Sequence, residues 1–242
     1  MDSYAVAGQY QQRPVSRRGG LFDGAAWQVV DRAPAQAQKV RAWDFAHTSG
    51  GGDWSVGVLL SEWGPEDERK VYVEDVVRGQ WDSFELERML KSTAQRDGAG
   101  IPICIPEDPS AGKSLANNIK VRLLRGYEVY ARAPRADKET RATPIATQAK
   151  AGNVYLVRAE WNQAFLTEAR MFPRGKTKDQ IDALSDAFAH LVTYGGGGQG
   201  SELSQNDLRL AGIVEQEQQE DDDYGKRQST KRGSDFGGGY RW

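Results

Sequence analysis

Hydrophobic positions recur along this chain with two different periods. From Val40 to Ala46 apolar and polar residues alternate, and the runs from Trp54 to Leu60 and from Val71 to Val77 are rich in valine, leucine and aromatic residues. Patterns of this kind predict strands, and three of them joined by short connections, the first carrying the Gly50-Gly51-Gly52 turn, predict an antiparallel meander. The period then changes. Phe84, Leu86, Met89 and Leu90 follow an Asp82-Ser83 cap signal at helical spacing, and this helix ends around Gly98-Ala99-Gly100. The apolar run from Ile101 to Ile105 predicts a buried strand. Leu115, Ile119, Leu123 and Leu124 mark a second helix closed by Gly126, and Tyr127 to Ala131 a further strand. Lys138 to Ala151 predicts a helix with Pro144 near its first turn or at a kink, Asn153 to Val157 a short strand, and Ala164, Phe165, Ala169 and Phe172 another helix. In the last helix Thr177 and Gln180 suggest a capping box, and Ile181, Leu184, Phe188 and Leu191 line an apolar face.

Strands that alternate with helices after an initial meander imply an α/β fold, a mixed sheet with helices on both faces. Residues 39–194 read as the folded unit. Residues 1–38 are rich in Gln, Arg, Gly and Ala without sustained periodicity and read as a linker or arm. Residues 195–242 hold 11 of the 27 glycines and the acidic run Glu220-Asp221-Asp222-Asp223. With few large apolar groups to offset ordering entropy, they are expected to form a mostly disordered tail. Ser204 and Asp207 ahead of Leu208, Leu210 and Ile213 allow one short helix there.

Charge adds little at the level of the whole chain. Residues 1–194 carry 26 Lys and Arg against 25 Asp and Glu, so any nucleic-acid surface must come from local clustering. The single cysteine, Cys104, lies in an apolar run and reads as a buried, inert thiol, in keeping with a reducing compartment. No apolar stretch reaches the roughly 20 residues that span a bilayer, and no signal peptide is evident, so no membrane partner is expected. Ala111-Gly112-Lys113-Ser114 looks like the end of a phosphate-binding loop, but Glu107 stands where that motif requires glycine, which removes an ATPase reading.

Acids carry the chemistry. Asp44 lies in the first strand of the meander and by alternation shares a face with Val40, Ala42 and Ala46. A carboxylate there either bonds a neighbouring turn or meets a cation. Glu107 and Asp108 follow the buried strand at its carboxyl end, where ligands bind in open α/β sheets, or where acids cap the next helix. Asp179, Asp182 and Asp186 form one stripe of the last helix, either a solvated face or a set of like charges that needs something positive between them. The fold allows all three groups to converge at one edge. Convergent hard oxygen donors, with no supporting cysteine and with His47 and His190 as the chain's two imidazoles, point to Mg²⁺ or Mn²⁺ rather than zinc. Two such ions about 4 Å apart would serve phosphodiester hydrolysis.

These acidic segments resemble, in order, the motifs of the large-terminase nuclease family of tailed phages. Trp43-Asp44-Phe45-Ala46 with Gly52-Asp53-Trp54-Ser55 is similar to the first acidic motif, Glu107-Asp108-Pro109-Ser110-Ala111-Gly112 to the second, and Lys178-Asp179-Gln180-Ile181-Asp182-Ala183-Leu184 to the third. Asp137 to Ala142, with Gly152 beyond, and Gln9 to Pro14 resemble further stretches of the family, the latter at the junction leaving the packaging ATPase. The resemblance spans residues 5–194. It implies a ribonuclease H-like endonuclease that cuts concatemeric double-stranded viral DNA during genome packaging and follows an ATPase domain in the same subunit. It also implies that the portal and the small terminase subunit are partners and that the host cytoplasm, not the mature virion, is the setting. It nominates Asp44, Glu107 and Asp179 as metal ligands, Asp182 as a fourth, and Asp53 and Asp108 as acids just outside that set. Lys178 stands where the family often has a further aspartate, so the third ligand role stays open between Asp179 and Asp182.

Arg132, Arg135, Lys138 and Arg141 recur between the second and third acidic motifs, and Arg174, Lys176 and Lys178 lead into the last helix. They read as contacts to DNA phosphates or as solvated charge. Two other functions fit the same acids: a junction resolvase or transposase of the same fold, and a non-catalytic packaging adaptor.

Overall fold

The computed structural model of the chain describes residues 20–46, 54–107, 113–133 and 136–194. The predicted meander forms from β2 (Gln38–Asp44), β3 (Ser55–Trp63) and β4 (Lys70–Gly79), paired antiparallel throughout. β3 is buried on both faces along nearly its whole length, which explains why its sequence is almost continuously apolar. At Gly57 a side chain would lie 2.8 Å from the Trp43 indole. The glycine leaves the space that lets this cross-strand tryptophan lie flat against the central strand.

Four shorter strands complete a seven-stranded sheet ordered β1-β7-β4-β3-β2-β5-β6. β5 (Ile103–Pro106) runs parallel to β2, and β6 (Val129–Arg132) parallel to β5. On the other side β7 (Val154–Val157) runs parallel to β4, and β1 (Gln28–Val30) parallel to β7. The helices are α1 (Ser83–Asp97), α2 (Lys113–Asn118), α3 (Lys138–Lys150), α4 (Asn162–Met171) and α5 (Asp179–Tyr194). Among the described residues, no helix is long and apolar enough to cross a membrane.

Helices cover both faces, as alternation along the strands requires. Val40, Ala42, Val56, Val58 and Leu60 pack against Ala142 and Ile145 of α3, Phe165 of α4 and Ile181, Leu184 and Phe188 of α5. On the opposite face Trp43, Ile103, Ile105 and Val129 meet Leu90 and Ala94 of α1 together with Ala116 and Ile119. Arg41 points to this second face and is only 1% exposed. Its guanidinium donates to both carboxylate oxygens of Asp97 at 2.7 and 2.9 Å, to Asp75 at 2.8 Å and to the Gly57 carbonyl at 3.1 Å. That fork satisfies a buried charge and ties β2 to β3, β4 and α1.

The structure departs from the sequence reading in four places. The fold begins before Lys39: Phe22 lies in the core, Trp27 stacks on it at 5.6 Å, and β1 adds an edge strand. A three-residue strand is too short to show a period. The second predicted helix is a short α2 followed by a π-helical turn, Ile119–Leu123, which widens the backbone so that Ile119 and Leu124 both face the core. Pro144 lies inside α3, past its first turn. The capping box of the last helix does not form, and its replacement belongs to the site.

Candidate functional site

Asp44 is the last residue of β2, on the face occupied by Val40 and Ala42, and it comes to lie beneath α5. α5 packs across β2 and β3 on one side and against α3 on the other. Its acidic stripe is therefore enclosed rather than solvated. Asp182 is 2% exposed, and both its oxygens are taken by α3: Lys138 Nζ donates to Oδ2, and Arg141 Nη2 to Oδ1 at 3.0 Å. Arg141 Nη1 also donates to Asp186 at 2.7 Å. The Trp54 backbone N–H donates to Asp179, and the Ala46 N–H to Ser55 Oγ at 3.0 Å, so the entry to β3 holds both the acid above and the chain just after β2.

The electrostatics follow from this crowding. Burial raises Asp44 to about 8, with Asp182, Asp179 and Asp186 adding to the rise and Lys138 opposing it. Burial also raises Asp179, reinforced by Glu168, and raises Asp186 against the pull of Arg141. For Lys138 partial burial works against the charge, but the bond to Asp182 and the nearby Asp44 and Asp179 hold its ammonium above the ordinary lysine range. Among the described residues Asp44, Asp179, Asp182 and Asp186 thus outnumber the two cations, Lys138 and Arg141, that pair with Asp182 and Asp186. Burial first, and the excess of carboxylates second, disfavour the charged form of Asp44.

A glutamate places the helix that carries these acids. Glu168 of α4 is 5% exposed. Its Oε1 accepts the backbone N–H groups of Gln180 at 2.7 Å and Ile181 at 3.2 Å, and its Oε2 accepts the Gln180 amide at 2.8 Å. The first turn of α5 is capped by an anion from another helix, and Gln180, expected to cap from within, is bound to that same anion.

Glu107 follows β5. Arg41 pairs with Ile103 and Ala42 with Cys104; continued by two residues, that register sets Asp44 beside Pro106 and puts Glu107 at the same sheet edge. Its backbone N–H donates to the Arg132 carbonyl at 2.8 Å. The structure therefore gathers Asp44, Asp179 and Asp182 around Lys138, which pairs with Asp182 and lies within electrostatic reach of the other two, with Asp186 alongside, and leaves Glu107 one strand away. Among the described residues no three His, Cys, Asp or Glu side chains stand ready as they are to hold one ion. Asp53, Asp108, Arg135 and His47 lie outside the described residues, as do the Gly50-Gly51-Gly52 turn, the Gln9 to Pro14 segment and the tail.

The basic residues divide. Lys138 and Arg141, predicted to face DNA, are engaged with Asp182 and Asp186. Lys176 is exposed and Lys178 half-buried, the Lys178 carbonyl accepting the Ile181 and Asp182 N–H groups. Arg132 turns toward α5, where Nη2 lies 3.4 Å from His190 Nδ1. Sequence reasoning missed Glu168 and His190. Both signals were present: Glu168 sits on the apolar stripe of Phe165, Ala169 and Phe172, and His190 falls one turn beyond Asp186 on a helix most of whose residues are buried.

Residues 41–191 match the family described as the terminase RNaseH-like domain. Among solved structures, the nuclease domain of the P22 large terminase is similar at a TM-score of 0.52 and 16% identity, covering 70% of this chain and 91% of that one. The large terminase nuclease of thermophilic phage G20c with bound magnesium gives 0.51 at 14% identity, covering 72% and 98%. Its zinc-bound form gives 0.50 at 16%, covering 70% and 95%. At such identities the likeness is one of fold. Comparison with curated proteins yields no match.

Proposed function

The chain belongs to the terminase RNaseH-like domain family, and from that premise we propose that it is a divalent-metal-dependent endonuclease that cuts concatemeric duplex viral DNA during genome packaging. The observation that carries this reading is the convergence of Asp44 from the sheet with Asp179 and Asp182 from α5, on a site whose carboxylates exceed its cations. A solvated acidic face would not be enclosed in this way.

The donor chemistry fits Mg²⁺ or Mn²⁺. The converging groups are all carboxylates, Cys104 lies in the core with its thiol pushed by burial up to about 12, and His190 is occupied by Arg132. Hard oxygen donors without sulfur or imidazole suit those ions, and magnesium is bound in the G20c nuclease. Asp44, Glu107 and Asp179 would hold the ions together with Asp182, whose own oxygens now accept from Lys138 and Arg141. When bound, a pair of ions supplies an activated water and charge for the leaving oxygen.

The chain's own residues supply position. Glu168 fixes the start of α5 and with it Asp179 and Asp182. Arg141 keeps Asp182 and Asp186 in register, and Lys138 stabilises negative charge gathered at the sheet edge. The reading carries with it an ATPase domain of the full-length subunit, the portal and the small terminase subunit as partners, and the host cytoplasm as the place of action.

Incubation of the chain with linear duplex DNA and with four-way junctions in Mn²⁺ tests the proposal. Cleavage of the linear duplex, abolished by EDTA, is expected. Cleavage confined to junctions would assign the site to a resolvase instead.

A further inference from the structure

Arg132 ends β6 at the acid edge, its backbone joined to that of Glu107. Its side chain leans on α5: beyond the contact to His190 Nδ1, Cζ lies 5.7 Å from the Tyr194 ring centroid. His190 and Tyr194 are one helical turn apart with ring centroids at 4.8 Å. Tyr130, two residues before Arg132 on β6, completes the cluster at 4.7 Å from His190 and 5.3 Å from Tyr194.

These braces are neutral. His190 is 4% exposed, and burial together with the Arg132 charge depresses it to about 4, so at neutral pH it is uncharged and Nδ1 accepts from the guanidinium. Lys138 and Arg141 have their charge answered by Asp182 and Asp186. Arg132 does not: among the described residues no carboxylate lies within ion-pair distance of it, although its field reaches Asp186. A guanidinium fixed between a ring and a neutral acceptor keeps its whole charge and has lost its rotamer freedom in advance. Its planar fork matches a phosphodiester.

We propose that Arg132, positioned by His190 and Tyr194, anchors a backbone phosphate of duplex DNA beside the acid edge. This rests on the DNA-cleaving reading above and deepens it by naming the group that holds the strand in register. The competing account is structural, with Arg132 merely complementing the C-terminal end of α5.

The test is binding of a fluorescein-labelled linear duplex to the full chain, with Ca²⁺ in place of Mg²⁺ or Mn²⁺, across a salt series. Arg132→Gln is expected to bind about tenfold more weakly and to lower the slope of log affinity against log salt by about 0.9. His190→Phe is expected to weaken binding at an unchanged slope, and the double variant to bind no more weakly than Arg132→Gln alone, because His190 acts through Arg132. Arg132→Lys keeps the charge and decides the matter where Arg132→Gln does not fold: weaker binding at the wild-type slope is expected, and wild-type affinity overturns the anchor. An Arg132→Gln protein with unchanged affinity and slope, or additive effects of the two substitutions, overturns the inference while leaving the nuclease reading intact. A wild-type chain that does not bind duplex DNA overturns both.

Discussion

Asp44 begins as one polar residue in an alternating strand and ends as the most perturbed acid of the site, because it is buried beneath α5 and the aspartates of that helix add to the effect of burial. This has a consequence for stability. A carboxyl raised from 3.8 to about 8 on folding binds more protons folded than unfolded, so its contribution is present at low pH and is lost as pH rises toward that value. His190 acts in the opposite sense, since its value falls from 6.5 to about 4 on folding, and its contribution is complete above 6.5. Between pH 6.5 and about 8 the metal-free protein should therefore lose stability as pH rises, and Asp44→Asn should flatten that decline. Thermal melts in EDTA at a series of pH values check this, and a wild-type profile that is flat or rising across the window contradicts it. At this scale the sequence was partly legible. Alternation placed Asp44 on the inward face, but whether its neighbours were solvent or other acids depended on α5, whose stripe of aspartates could equally have been a wet face.

The helices bring separated acids together, and α5 shows why its own ends were harder to read than its middle. Ile181, Leu184, Phe188 and Leu191 announced the buried face correctly, since a 3.6-residue period reflects local geometry. The cap could not be read locally, because the anion that satisfies the first N–H groups comes from Glu168, 12 and 13 residues upstream of them and on another helix. Likewise, the ion pairs of Lys138 and Arg141 with α5 could not be read from the sequence, because their partners are distant along the chain. The cap carries a prediction: Glu168→Gln keeps the shape but loses charge-assisted bonds in a buried place, and should cost about 1–3 kcal/mol. Because the same turn bears Asp179 and Asp182, cleavage should fall as well at temperatures where the variant remains folded. Denaturant unfolding and duplex cleavage measured on one preparation check both, and a variant as stable and as active as wild type contradicts the role given to Glu168.

Across the whole molecule, the three long strands and the βαβ order were readable because burial on one or both faces writes a period of two or an apolar run into any strand of sufficient length. The N-terminal edge strand was not, since β1 is three residues long and mostly exposed, and Phe22 reaches the core from a segment without periodicity. The π-helical turn at Ile119 escaped for a related reason, as one widened turn shifts the apolar spacing by a single residue. What the fold does as a unit is carry the ends of β2 and β5 and the first turns of α5 to one edge, where the Lys138 ammonium is bound among the acids.

A metal-dependent DNA-cutting site built around Asp44 cannot work once that carboxylate is gone. This is tested most directly by comparing Mn²⁺-dependent cleavage of linear duplex DNA by the wild-type chain and by Asp44→Asn, with circular dichroism on both. The account predicts a wild-type protein that cuts and a folded variant slowed by about a hundredfold or more. A folded Asp44→Asn protein that cuts at the wild-type rate would contradict it.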